Sequence, residues 1–177
     1  SSLAANHIEK LHPIYAKGRT APGSFAVLAT RYFAEYGAGK EDLAEVAVKN
    51  HYHGSLNPKA HFRKEITKEQ VLNAPPICEP FGLYDCCPTT DGAAAIILCR
   101  ADLAASRFRK KDYALIEGMG LSCTNGYITT AFDPRFNFLG FEATRQASKQ
   151  AYEQAGISNP LEEIDVAEVH DCFTITE

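Results

Sequence analysis

The sequence predicts an α/β protein with a helical front half and a layered back half, and three observations carry that reading. Residues 24–36 place Phe25, Leu28, Ala29, Tyr32, Phe33 and Tyr36 at helical spacing, which makes one wide apolar stripe. After Pro76 the texture changes to small and then β-prone residues, with Ile96-Ile97-Leu98 the clearest run. The last third reads strand, helix, strand. That order implies a parallel pair joined by a right-handed crossover.

Taken in order, the first helix is capped by Ser24 and stopped by Gly37. A second runs through KEDLAEVAVKNHYH, with Leu43, Val46 and Ala47 inward and Gly54 as its stop. The following GSLNPKAHFRKE is polar and loop-like. A short third helix has Thr67 and Gln70 at capping-box spacing and ends at Pro75. The stretch DGAAAIILCR admits two readings: an alanine run suits a helix, while the Asp-Gly turn and the Ile-Ile-Leu run favour a buried strand. DYALIEGMGLS reads as another strand. FNFLGFEATRQASKQAYEQAG reads as loop then helix, with Phe141, Ala147, Ala151 and Ala155 packing and Gly156 as stop. SNPLEEIDVAEVH reads as turn then strand, and DCFTITE as the first turn of a helix. A polar boundary falls near residues 101–112. Parallel strands need neighbours and covering helices, so the chain reads as a middle piece of a longer α/β protein.

Bulk properties exclude several classes. A chain of 177 residues, 45% hydrophobic, suffices for one sizeable domain. The net charge of -4, with no basic cluster, argues against nucleic acid as a partner. No apolar run approaches the ~18 residues of a membrane helix. The chain opens on SSLAANH, without a signal-peptide pattern. The six cysteines show no CxxC pair, and a protein this apolar needs no staples, so they read as reduced and intracellular. His51, His53 and His61 have a tempting HxH spacing. On a helix i and i+2 diverge, however, and no carboxylate or cysteine completes a set, so no metal is expected.

The motif CCPTTDGAAAIIL, followed some seventy residues later by IDVAEVHDCF, resembles the thiolases of the sterol-carrier-protein type. The upstream AVKNHYHGSLNPKAHFRKEIT resembles the loop domain of the same branch. HDCF marks this branch, where other thiolases carry NEAF. The similarity runs from about His12 to Glu177. It implies a partial thiolase-like fold: a helical loop domain over residues 1–84, the last strand and exit of the N-terminal half over 85–111, and the start of the C-terminal half over 112–177.

The resemblance also implies acyl transfer between a 3-ketoacyl-CoA and CoA through an acyl-cysteine. The nucleophile, the GHP histidine and the CxG cysteine of that chemistry lie outside these residues. His170 matches the first position of HDCF, and by resemblance it holds the water or donor of an oxyanion hole. Phe173 matches an aromatic lining the acyl and pantetheine pocket, and Cys87 aligns beside the pantetheine arm. Phe81 and the stretch 138–141, with Phe138 and Phe141, are candidates for the same wall or for core. Lys59, Arg63 and Lys64 suit either the CoA phosphates or a solvated loop. Cys172 reads as packing rather than as a nucleophile, since no third residue orients His170 toward it. Asp171 suits the backbone N–H groups of a helix start.

Coenzyme A enters as substrate, and no cofactor is expected. The resemblance implies a homodimer or tetramer, a possible small zinc-ribbon/OB-fold partner, and a cytoplasmic location, or a peroxisomal one in a eukaryote. The alternative within the family is a protein without thiolysis: a sterol side-chain aldolase, or a lipid-transfer or scaffold subunit.

Overall fold

The computed structural model describes residues 20–107, 113–123 and 137–177. They fall into two compact units. The first draws on residues 20–88, 137–140 and 168–177, and the second on residues 89–107, 113–123 and 141–167. Residues 85–88 and 168–177 belong with the helical segment. The start of the similarity near His12 lies outside the described residues.

In the first unit, α1 spans Ala21–Tyr36. Its cap is Thr20, whose hydroxyl accepts the Gly23 N–H at 3.2 Å, and Pro22 sits in the first turn. Ser24 is already inside the helix, its N–H donating to the Thr20 carbonyl. Proline preset the turn earlier than the hydroxyl pattern suggested. Gly37 closes α1 in the left-handed region at φ 69°. The stripe is narrower than expected: Ala26, Leu28 and Ala29 are buried, whereas Tyr32 and Tyr36 are exposed.

Helix α2 spans Lys40–Leu56, and Asp42 takes the Gly39 N–H at 2.8 Å. It passes through Gly54 rather than stopping there. A β-carbon at Gly54 would stand 2.9 Å from the Phe62 carbonyl oxygen, so this glycine serves the close approach of the following loop. Leu43 faces one apolar cluster, while Ala44 and Ala47 face a second. Val46 is only half-buried. Helix α3, Lys68–Leu72, has the reciprocal cap its sequence shows: Thr67 accepts from Gln70 N–H at 3.2 Å, and Gln70 accepts from Thr67 N–H at 2.9 Å. A hairpin follows, β1 at Pro76–Cys78 and β2 at Phe81–Gly82, paired Pro76↔Gly82 and Cys78↔Phe81. A 3₁₀ turn over Leu83–Asp85 leads to Cys86, which bridges antiparallel to Phe173.

The second unit contains α4, Ala101–Ser106, where a polar boundary was expected; residues 108–112 of that boundary lie outside the described residues. It also contains α5, Glu142–Ala155, and α6, Pro160–Glu163, a short helix in place of a turn. Gly156 ends α5 at φ 73°.

Among the described residues, the strands expected over residues 92–98, 112–122 and 164–170 are not formed; residue 112 lies outside the described residues. Among the described residues these stretches have no ladder partner, and Ile96 and Ile97 are 80% and 94% exposed. A strand exists only where a neighbour about 4.8 Å away supplies N–H and C=O groups, so β propensity alone leaves an open ribbon. Among the described residues the expected parallel pair is absent for the same reason.

Residues 118–122 instead lie along α5. Gln146, Gln150 and Gln154, one turn apart, each hold this ribbon. Gln154 accepts the Met119 N–H at 3.2 Å and donates to its carbonyl at 2.8 Å, Gln150 accepts the Leu121 N–H at 3.1 Å, and Gln146 accepts the Ser122 hydroxyl at 2.8 Å. The approach needs glycine, because a β-carbon at Gly120 would sit 1.8 Å from the Ala147 carbonyl oxygen. Gly120→Ala is expected to cost about 1–3 kcal/mol through overpacking. Gly92→Ala, with nothing within 4 Å, is expected to be near neutral. Urea denaturation of the two variants checks the difference.

Candidate active site

The CCP and HDCF motifs meet in the first unit. Cys86 opposes Phe173 across the bridge, and the Cys87 N–H donates to the Cys172 carbonyl at 3.1 Å. Asp85, buried, clamps the junction by accepting the Gly82 N–H at 2.8 Å and the Thr174 hydroxyl at 2.9 Å. Phe173 is 6% exposed and stacks on Phe25 at 4.5 Å and on Phe81 at 5.5 Å between ring centres. Ala26, Ala29 and Leu43 complete that cluster.

The turn after the motif is tied back on itself and to α2. The Thr176 N–H and hydroxyl reach the Phe173 carbonyl at 2.8 and 2.7 Å, and the hydroxyl also lies 3.3 Å from Asp171 Oδ1. From α2, the Asn50 amide donates to Asp171 Oδ2 and, at 3.2 Å, to Glu177 Oε2, and Lys49 pairs with the other Glu177 oxygen. Asp171 thus accepts from side chains, where the sequence suggested backbone N–H groups. His170 stands at the start of this fixed turn with its side chain exposed. Among the described residues its imidazole makes no hydrogen bond; only its carbonyl accepts, weakly, from Thr176 at 3.4 Å.

The candidate residues are thus partly assembled. His170, Phe173, Cys87 and Phe81 share the first unit, with Cys87 exposed beside the turn. Phe81, at 1% exposure, and Phe173 are core in this arrangement, so their rings give shape from beneath rather than open wall. Phe138, at φ 60°, lines an open hollow of about 570 Å³ along α1 with Ala26, Val27 and Cys78; that hollow includes neither His170 nor Cys87. Phe141, 37% exposed at the start of α5, belongs to the second unit. Asn50 was missed by sequence reasoning. Its only signal was a polar residue amid KNHYH, which reads as helix surface.

The histidines of the HxH pair have other uses. His51 Nδ1 lies 3.1 Å from the Lys64 carbonyl, and its ring meets Tyr84 edge-on at 5.6 Å. His53 is exposed and packs edge-on against Tyr52. Among the described residues no group of three or more His, Cys, Asp or Glu side chains is placed to hold a metal, and no helix is long and apolar enough to cross a membrane. Lys59 and Lys64 are exposed, while Arg63 reaches the Pro58 carbonyl at 3.3 Å.

Cys86 and Cys172 are poor nucleophiles. Burial, with the Asp85 carboxylate second, pushes the Cys86 thiol up to about 11, and burial likewise raises Cys172, with Cys87 adding to it. The raised Cys86 value favours the folded state below the unfolded thiol's range, and that advantage is lost as pH rises from about 9 to about 11. At pH 8 the folded chain is expected to alkylate at Cys86 about 10–100-fold more slowly than the unfolded chain, the greater nucleophilicity of a basic thiolate offsetting part of the difference. The gap should close as pH passes about 11, which peptide mapping after timed iodoacetamide treatment would show.

Comparison with known proteins agrees with this meeting of motifs. Residues 19–102 match the thiolase N-terminal domain, and residues 128–177 the thiolase C-terminal domain-like family. An acetyl-CoA acetyltransferase of Methanothermobacter thermautotrophicus is 38% identical over 90% of this chain and 39% of its own length. Sterol carrier protein 2 of Oryctolagus cuniculus is 33% identical over 94% of the chain and 29% of its own length. A solved Ltp2-ChsH2(DUF35) aldolase superposes with a TM-score of 0.75 at 29% identity, covering 99% of this chain and 44% of that one. The chain spans under half the length of each of these relatives. With both family domains matched in order, and with the signature segments of each paired at Cys86 and Phe173, the chain belongs to the thiolase family.

Proposed function

We propose that the protein containing this chain is an acetyl-CoA acyltransferase, cleaving or forming 3-ketoacyl-CoA through an acyl-cysteine supplied from outside these residues. His170 is its oxyanion-hole residue. The observation that carries this reading is an exposed imidazole on a turn held rigid from three sides: by the Cys86–Phe173 bridge, by Asp85 and by Asn50. During Claisen chemistry negative charge grows on the thioester oxygen. A donor fixed in advance stabilises that charge without reorganising. Cys87 and Phe138 border the acyl and pantetheine path, and Phe81 and Phe173 support it. The substrates are acyl-CoA and CoA, with no further cofactor. The full-length protein is a homodimer or tetramer in the cytoplasm, or in peroxisomes in a eukaryote.

The likeness to a DUF35-associated aldolase favours a second reading, in which a related partner subunit is present and a 3-hydroxyacyl-CoA is cleaved. Stoichiometry separates the two. A thiolase consumes one free CoA for each carbon–carbon bond broken, and an aldolase consumes none. Full-length protein mixed with acetoacetyl-CoA and CoA is expected to yield acetyl-CoA with loss of the enolate absorbance. No CoA consumption, together with carbonyl release from a 3-hydroxyacyl-CoA, would overturn the thiolase reading.

A further inference from the structure

The Asn50 side chain joins the middle of α2 to the residue next to His170. Both of its amide hydrogens are committed. One goes to Asp171 Oδ2, and the other to Glu177 Oε2 at 3.2 Å. Glu177 is in turn held by Lys49, one residue earlier on α2. The other Asp171 oxygen faces the Thr176 hydroxyl at 3.3 Å. An amide is the side chain that suits this place. It offers two donors in fixed geometry to two carboxylates without adding charge. A carboxylate there would repel both, and an aliphatic residue would take one donor from each.

We propose that Asn50 is a positioning residue for His170: it fixes the Asp171 carboxylate, and through it the direction in which the neighbouring imidazole projects. This rests on the reading of His170 as the oxyanion-hole residue. Asn50 does not touch the substrate in this scheme. It acts through the turn, so its loss is felt in turnover and not in binding.

The test uses full-length protein and steady-state thiolysis of acetoacetyl-CoA. Asn50→Ala is expected to lower kcat between about tenfold and a hundredfold with KM nearly unchanged, the range expected for a misplaced catalytic group. In a His170→Ala background the same change is expected to have little further effect, because the group it positions is gone. Asn50→Asp places a third carboxylate between Asp171 and Glu177, with Lys49 as the facing cation and the Thr176 hydroxyl and His170 as the other polar neighbours. Its activity relative to wild type should rise as pH falls and one carboxyl takes a proton. The exchange Asn50→Asp with Asp171→Asn restores the same hydrogen bond with donor and acceptor reversed. It should recover part of the lost turnover, because the new carboxylate still faces Glu177, and a gain over Asn50→Asp alone keeps the test decisive if Asn50→Ala does not fold.

If His170→Ala lowers turnover while Asn50→Ala does not, the positioning role is wrong and the oxyanion reading stands. Equal losses from Asn50→Ala with and without His170 would show a general structural role and also overturn the proposal. Unchanged turnover in His170→Ala would sink the underlying reading itself.

Discussion

Full-length protein carrying His170→Ala is expected to turn over acetoacetyl-CoA roughly 10²–10³ times more slowly than wild type, a loss of about 3–4 kcal/mol in transition-state stabilisation. The ground-state carbonyl accepts only a weak hydrogen bond, whereas the oxyanion accepts a strong one. The loss should therefore fall on kcat, with KM changing little. His170→Asn, which keeps a shorter donor, should retain more activity than alanine. Cys172→Ser is the control that separates the two residues of the motif. The Cys172 thiol is pushed up by burial and is unsuited to attack, so its replacement should leave most turnover intact. Steady-state kinetics on the three variants, with circular dichroism to confirm folding, checks the pattern.

Phe173→Ala is expected to destabilise the first unit by about 3–5 kcal/mol, as for other large-to-small changes at buried aromatics. The ring stacks on both Phe25 and Phe81 and joins the cluster with Ala26, Ala29 and Leu43. The change removes the stacking partner of both rings and leaves a cavity between α1 and the hairpin. Phe173→Leu, which refills much of the volume, should cost considerably less. Equilibrium urea unfolding followed by circular dichroism distinguishes the two. Equal midpoints for wild type and alanine would show that the cluster does not hold the turn.

What was legible in the sequence was local chemistry. Gly37 and Gly156 stop their helices in the left-handed region, and Thr67 with Gln70 forms its reciprocal cap, because each device is complete within four residues. The HDCF segment carried the family resemblance for the same reason, a short motif complete in itself. Errors arose where a partner far along the chain decides the outcome. Ile96, Ile97 and Leu98 have β propensity, yet no described residue pairs with them. Gly54 looked like a stop because its close approach to the Phe62 carbonyl cannot be read from helix spacing. Cys86 and Phe173, and Asn50 and Asp171, are joined across long stretches of chain. No periodicity announces such pairs.

The Cys86–Phe173 bridge also sets a timetable for the ribosome. Phe25 and Phe81 are made early, but the ring that stacks on both arrives roughly 5–20 s after Phe81 at ordinary rates of synthesis. Until then α1 and the hairpin present their aromatic faces to the surroundings. In that interval the helical segment exposes apolar surface that its own residues do not cover, and its packing waits on completion of the segment that carries Phe173.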